Sequence, residues 1–268
     1  MKQTIIALFL FCSLALSAKP SDYSTVNDIK FRPAVSEECL LDVAYVPGRT
    51  DRPVIVWFHG GGLTKGHKSC PEALKKEDYV VVGVEYRLYP SVKVREILQD
   101  SAAAVAWVYA NIGQYGGSKD KIYLAGHSAG GYITGMLGLD KSYLAAEGID
   151  ADTLAGLGMY SGQVITHFAE RKDRGIRMGQ PVVDEMAPLY HVRGDCAPIL
   201  IITGDRNLEM VNRYEENAYF HKMLLYNKHK DVTFYEEGGF NHGRMVIPGH
   251  PLFMKWVKDR ESRINSNQ

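Results

Sequence analysis

The stretch that most restricts the fold is Gly126-His127-Ser128-Ala129-Gly130, with Gly131 after it. It follows a strand-like run at 121–125 and opens a small-residue helical pattern from Ser128. A Gly-x-Ser-x-Gly element in that setting needs glycines to let the chain turn sharply. The turn lifts the serine hydroxyl above the strand end. The helix N-terminus then aims free N–H groups and the positive end of its dipole at an anion formed there. Alone, the pattern also fits a plain Gly/Ser turn or a phosphate-binding turn; the strand before it and the helix after it favour a nucleophile.

The rest of the chain repeats that alternation. Residues 41–46, 53–58, 79–86, 121–125, 154–160, 198–203 and 232–236 read as strands. Residues 94–112 have helical periodicity, with Ile97, Ala104, Val105 and Val108 on one face and Gly113 as the stop. Residues 209–226 and 250–260 read as helices too. Strands alternating with helices predict βαβ units and a mainly parallel sheet. The strand runs lack two-residue alternation, so helices should cover both faces. No repeat or linker interrupts the pattern, which predicts one domain over 18–268. The irregular segment 161–197 is the candidate for a cap or lid, and its Glu170–Arg174 charge run reads as a solvated helix face.

Residues 1–17 stand apart. A short basic start, Met1-Lys2-Gln3, precedes an apolar run over 5–16, and small residues Ala15, Ser17 and Ala18 supply a cleavage site. This reads as a secretory signal peptide. The run is shorter than the roughly 20 residues a membrane-spanning helix needs. Phe11 before Cys12 speaks against lipidation. An exported protein, periplasmic or extracellular, is the expectation.

The charge balance narrows the function. Lys+Arg 31 equals Asp+Glu 31, which argues against a nucleic-acid binder. Cys39, Cys70 and Cys196 remain after the leader, with no CxxC spacing and hence no cysteine metal site; their pairing is left open.

A serine nucleophile needs an oxyanion hole, a base and an acid. His59-Gly60-Gly61-Gly62 follows the strand 53–58, so N–H groups of Gly60 or Gly61 and of Ala129 are the candidate oxyanion donors. His59 reads as a residue that fixes this loop. His242, in Gly238-Gly239-Phe240-Asn241-His242-Gly243, follows the last strand, where the order Ser…acid…His puts the base. His127 should point away from the nucleophile. His167, His191, His221, His229 and His250 read as solvated.

At these residues the chain resembles the α/β-hydrolase superfamily. It is most similar to the esterase branch that includes hormone-sensitive lipase and bacterial acetyl-xylan or feruloyl-type esterases. Glu85-Tyr86-Arg87-Leu88-Tyr89-Pro90 and the helix from Asp100 to Trp107 carry the resemblance further. It implies the α/β-hydrolase fold, structural roles for Arg87 and Asp100, and an acid about three residues after the glycine ending the penultimate strand. That slot holds Asn207, a departure from the pattern. Glu209 or Asp205 is then the candidate acid, with Asp184 a further carboxylate in the insertion.

The implied activity is hydrolysis of short acyl esters through an acyl-enzyme, with no metal or organic cofactor. The substrate would be a small-molecule or oligosaccharide ester, the acyl group acetyl or feruloyl on plant polysaccharide. The alternatives are a peptidase or amidase on the same fold, and a binding protein that has lost its acid. Tyr160, Phe168 and Met178 are candidates to line the pocket.

Overall fold

Eight strands form one sheet in the computed structural model, which describes residues 19–266. They are β1 (Ser24–Lys30), β2 (Leu40–Tyr45), β3 (Arg52–Phe58), β4 (Val80–Val84), β5 (Gly117–His127), β6 (Gly156–Tyr160), β7 (Ile199–Gly204) and β8 (Val232–Glu237). Their spatial order is β1-β2-β4-β3-β5-β6-β7-β8. The first two pairings, β1 with β2 and β2 with β4, are antiparallel; every other is parallel. The helices are α1 (Val94–Asn111), α2 (Ala129–Leu139), α3 (Lys141–Ala145), α4 (Phe168–Asp173), α5 (Arg213–Tyr226) and α6 (Val246–Ser266). The expected leader, residues 1–17, lies outside the described residues.

The two faces of β3 show why the strands lack alternation. Val54, Val56 and Phe58 pack with Ile97, Val105, Ile133 and Leu137 of α1 and α2. Ile55 and Trp57 face the other way, towards Phe253, Met254 and Val257 of α6. A strand covered on both sides has no position for a polar residue. α2 is the most enclosed helix, with all of Ala129–Leu139 buried.

The structure also differs from the sequence reading. β1 was not foreseen, because Ser24–Lys30 is a largely exposed edge strand with no apolar pattern. Helical turns run on past Gly113 to Tyr115, and Gly116, at φ 79°, ends them. α5 begins at Arg213 rather than 209, leaving Glu209 in the loop that leaves β7. The Glu170–Arg174 run is not wholly a solvated face: Arg171 is buried, and its Nη1 donates to the carbonyls of Met178 and Gln180.

Three of the histidines expected in solvent are buried. His167 caps α4, its Nδ1 accepting from Ala169 N at 3.2 Å. His229 Nδ1 accepts from Asp231 N at 3.2 Å. His250 packs against Trp57 and Tyr160, with ring centroids 5.1 and 5.4 Å away. Burial lowers the pKa of His250 from 6.5 to about 4. As pH falls below 6.5 the unfolded chain takes up this proton first. The stability tied to neutral His250 is therefore full above pH 6.5 and lost as pH falls to about 4. Urea midpoints at pH 7 and pH 4.5 should differ, and His250→Phe should remove about 2 kcal/mol of that difference.

Candidate active site

The serine elbow sits where β5 turns into α2. Ser128 has φ 57° and ψ −112°, outside the usual range for a residue with a side chain. Two contacts hold it there. Its N–H donates to the Tyr160 carbonyl at 2.8 Å, and its own carbonyl accepts from Tyr132 N at 3.0 Å. Gly130 cannot be larger, since a Cβ there would lie 1.9 Å from the Phe58 carbonyl oxygen. The closeness of β3 to the elbow fixes that glycine, and the same closeness brings the loop after β3 beside Ser128.

Ser128, His242 and Glu209 form one hydrogen-bonded chain. His242 Nε2 is 2.9 Å from Ser128 Oγ, and His242 Nδ1 is 2.5 Å from Glu209 Oε1. An ionised carboxylate only accepts, so Nδ1 carries the proton and Nε2 is left to accept from the serine hydroxyl. The Glu209 side chain has no solvent exposure. Its other oxygen, Oε2, accepts from Ser161 Oγ at 2.6 Å and from Gly204 N at 3.1 Å. Burial pushes the Glu209 pKa up, but the hydrogen bonds and charge of His242, with the Ser161 and Met210 donors, outweigh it and lower the pKa to about 2.

The other candidate carboxylates lie elsewhere. Asp205 Oδ2 accepts from Gly239 N at 2.8 Å and its Oδ1 from Asn207 N at 2.9 Å. It ties the loop after β7 to the loop carrying His242. Asn207 itself is exposed. Leu208 N and Glu209 N both donate to the Asp205 carbonyl, winding the loop through one helical turn. That turn brings residue 209, rather than 207, within reach of His242, and the longer side chain reaches back past Gly204. Asp184 serves the insertion, accepting from Thr166 Oγ1 and Arg174.

Contrary to expectation, His127 does not point away from the groups around Ser128. Its Nε2–H donates to the His242 carbonyl at 2.8 Å, and the two rings lie 4.7 Å apart. Burial, helped by His242, lowers its pKa to about 4. In a regular strand the side chain of the residue before Ser128 would point to the opposite face from its neighbour's. The sharp turn breaks that alternation.

The glycine loop is braced from behind. His59 Nδ1–H donates to the Gly60 carbonyl at 2.7 Å, and the ring stacks on Tyr86 at 4.3 Å. Tyr86 OH donates to the His59 carbonyl at 2.7 Å. Gly61 has φ 112°, a conformation that favours glycine. A Cβ on Gly60 would lie 3.5 Å from Ser128 Cβ, so the loop passes directly beside that serine. Ala129, the first residue of α2, has an N–H that its own helix cannot satisfy. Farther back, Arg87 donates to Asp100 at 2.7 and 2.8 Å, and Arg32 adds a third bond at 2.8 Å. Asp100 is fully buried, and these pairs fix the turn below the loop.

A cleft of about 380 Å³ opens over these groups. Gly61, Gly62, Thr64, Lys65, His127, Ser128, Phe168, Met210 and His242 line it. Phe168 is the contribution of the 161–197 insertion. Tyr160 is buried beneath, and Met178 is 71% exposed away from the cleft. A larger cavity of about 490 Å³, beside Lys68, Glu85 and Arg87, contains none of the three linked residues. Cys39, Cys70 and Cys196 are free thiols.

Comparisons with known proteins place the chain among similar sequences and folds. A family model described as BD-FAE matches residues 41–156. Esterase LipC of Mycobacterium tuberculosis is 27% identical over 223 residues, covering 76% of this chain and 53% of its own length. The chain thus spans about half of that relative, and less of others it matches. Esterase B of Lactobacillus rhamnosis superposes with a TM-score of 0.76 at 19% identity, covering 93% of this chain and 91% of that one. A truncated carbohydrate esterase from gut microbiota gives 0.75 at 17% identity, covering 90% and 98%. At that identity the superpositions speak for the fold alone: this chain has the α/β-hydrolase fold of these esterases, and over residues 41–156 it is similar to the BD-FAE family.

Proposed function

We propose that the protein is a serine carboxylic-ester hydrolase acting on short acyl esters through an acyl-enzyme. The observation that carries this is the continuous chain Ser128 Oγ–His242–Glu209, with both hydrogen bonds at 2.9 Å or less. His242 Nε2 takes the serine proton as Ser128 Oγ attacks the ester carbonyl. Glu209 stabilises the imidazolium that results. The N–H groups of Ala129 and of Gly60 or Gly61 receive the oxyanion. His242 then gives its proton to the departing alkoxide. Water, deprotonated by the same nitrogen, releases the acid and restores Ser128.

Residues behind the triad set its geometry. Ser161 Oγ holds Glu209 Oε2 away from His242, so that Oε1 alone faces the imidazole. Ser161→Ala should lower kcat about tenfold with KM little changed, since a hydrogen bond to a charged group is worth about 1.5–3 kcal/mol and part of it acts in the transition state. Steady-state kinetics on p-nitrophenyl butyrate would measure it.

The wall formed by Phe168 supports a small acyl group. Its Cζ lies 2.6 Å from where a Gly62 Cβ would be, so ring and loop are in close contact. Each methylene accommodated in such a pocket is worth about 1–3 kcal/mol. Phe168→Ala should raise the ratio of kcat/KM for p-nitrophenyl hexanoate over acetate by about tenfold or more.

We extend the proposal to an oligosaccharide ester, acetylated or feruloylated, met outside the cytoplasm. The likeness to a carbohydrate esterase supports the first part, and the leader pattern of residues 1–17 the second. A binding-only role rested on Asn207 in the acid slot. Glu209, 2.5 Å from His242, supports the catalytic reading over it. The test is turnover of p-nitrophenyl acetate and butyrate, then of acetylated xylo-oligosaccharides, by the protein and its Ser128→Ala variant.

A further inference from the structure

The cleft has one fully charged side chain on its open lining, and it is a cation. Lys65 lines the cleft with its side chain exposed, and none of the described residues pairs with it. Among the described residues no carboxylate lines the cleft; Glu209 is shut behind His242 and bonded to it. The base of Lys65 is fixed on the glycine loop. Its N–H donates to the Gly61 carbonyl at 3.2 Å, and its Cγ lies 3.2 Å from where a Gly61 Cβ would be. The ammonium is therefore launched from the same turn that flanks Ser128. Thr64 and Lys65 form the exposed part of the glycine-loop wall, while Phe168 on the insertion is half-buried. The alcohol is the part of the ester released to solvent, and the exposed rim of the cleft, formed by Thr64, Lys65 and Met210, carries one charge, that of Lys65.

We propose that the cleft selects esters whose alcohol carries an anionic group, such as a carboxylate or sulfate, held by Lys65. This rests on the ester-hydrolase function proposed above. Exposed ion pairs contribute little, so the expected preference is about threefold to fivefold, and salt should screen it.

The probes are 4-acetoxybenzoate and 4-acetoxybenzamide, which share an acyl group and differ in the charge on the phenol. Their kcat/KM ratio is measured for the protein, Lys65→Gln and Lys65→Glu at about 20 mM and 0.5 M NaCl. The ratio should fall about threefold to fivefold from the parent protein to Lys65→Gln at low salt, through KM. It should fall further in Lys65→Glu, and the three proteins should converge at high salt. A ratio that does not depend on residue 65, with both esters turned over, overturns the proposal and leaves the esterase function standing. If neither ester is turned over by any of the three proteins, the esterase function fails and this proposal with it.

Discussion

Ser128→Ala should lower kcat on p-nitrophenyl acetate by about 10⁶-fold, to the level left by binding and the oxyanion donors alone. The size follows from the mechanism. Without Oγ there is no acyl-enzyme, and His242 has nothing to deprotonate within 2.9 Å. The fold should be untouched. Alanine occupies the φ of 57° at the same steric cost as serine, and Ser128 is held by backbone bonds to Tyr160 and Tyr132 that the substitution keeps. Thermal midpoints within about 2 °C of the parent protein would exclude unfolding as the cause. A variant that retains a tenth of the parent rate would remove Ser128 from the chemistry.

The second large effect belongs to Glu209. Glu209→Gln should cost about 10⁴ in kcat, the loss expected when a triad carboxylate becomes its amide. The amide of this variant would offer an NH₂ or a carbonyl to His242 Nδ1, so the imidazole could sit in the wrong tautomer, and no charge would meet the imidazolium. Asp205→Asn gives the contrast. It weakens the tie to Gly239 N and should lower the thermal midpoint slightly, with kcat within tenfold of the parent. Equal losses from both variants would contradict the assignment of the acid.

The Glu209 pKa of about 2 adds a pH signature. A carboxyl held below its ordinary value contributes stability that is present above pH 4.5 and lost as pH falls towards 2. Loss of activity between pH 7 and 5 is therefore not protonation of Glu209. The same logic keeps His127 neutral down to about pH 4, so its bond to the His242 carbonyl persists across that range.

Much of the architecture was legible because burial on both faces leaves a mark in composition. Val80–Val84 and Ile199–Gly204 are apolar without alternation, and a parallel sheet covered by helices requires that. β1 left no mark: an exposed edge strand with a bulge near Asp28 needs no apolar side. At the site, the elbow, the glycine loop and His242 were legible because each is tied to a strand end. The choice between Glu209 and Asp205 was not. It depends on one turn of chain after Gly204, which Asp205 winds with its own carbonyl. Ser161 and His127 were missed for a different reason. Their partners, Glu209 and His242, are 48 and 115 residues away, and only the packing of β5, β6 and β7 side by side brings them together.

The central claim is that Ser128 is the nucleophile of an ester hydrolase. The most direct measurement is covalent trapping with diethyl p-nitrophenyl phosphate, read by intact mass, peptide mapping and residual activity on p-nitrophenyl butyrate. One diethylphosphoryl group per chain, on Ser128, with activity falling in proportion, is the predicted result, and Ser128→Ala should take up none. Activity lost with the adduct on another residue, or full activity with Ser128 modified, would contradict it.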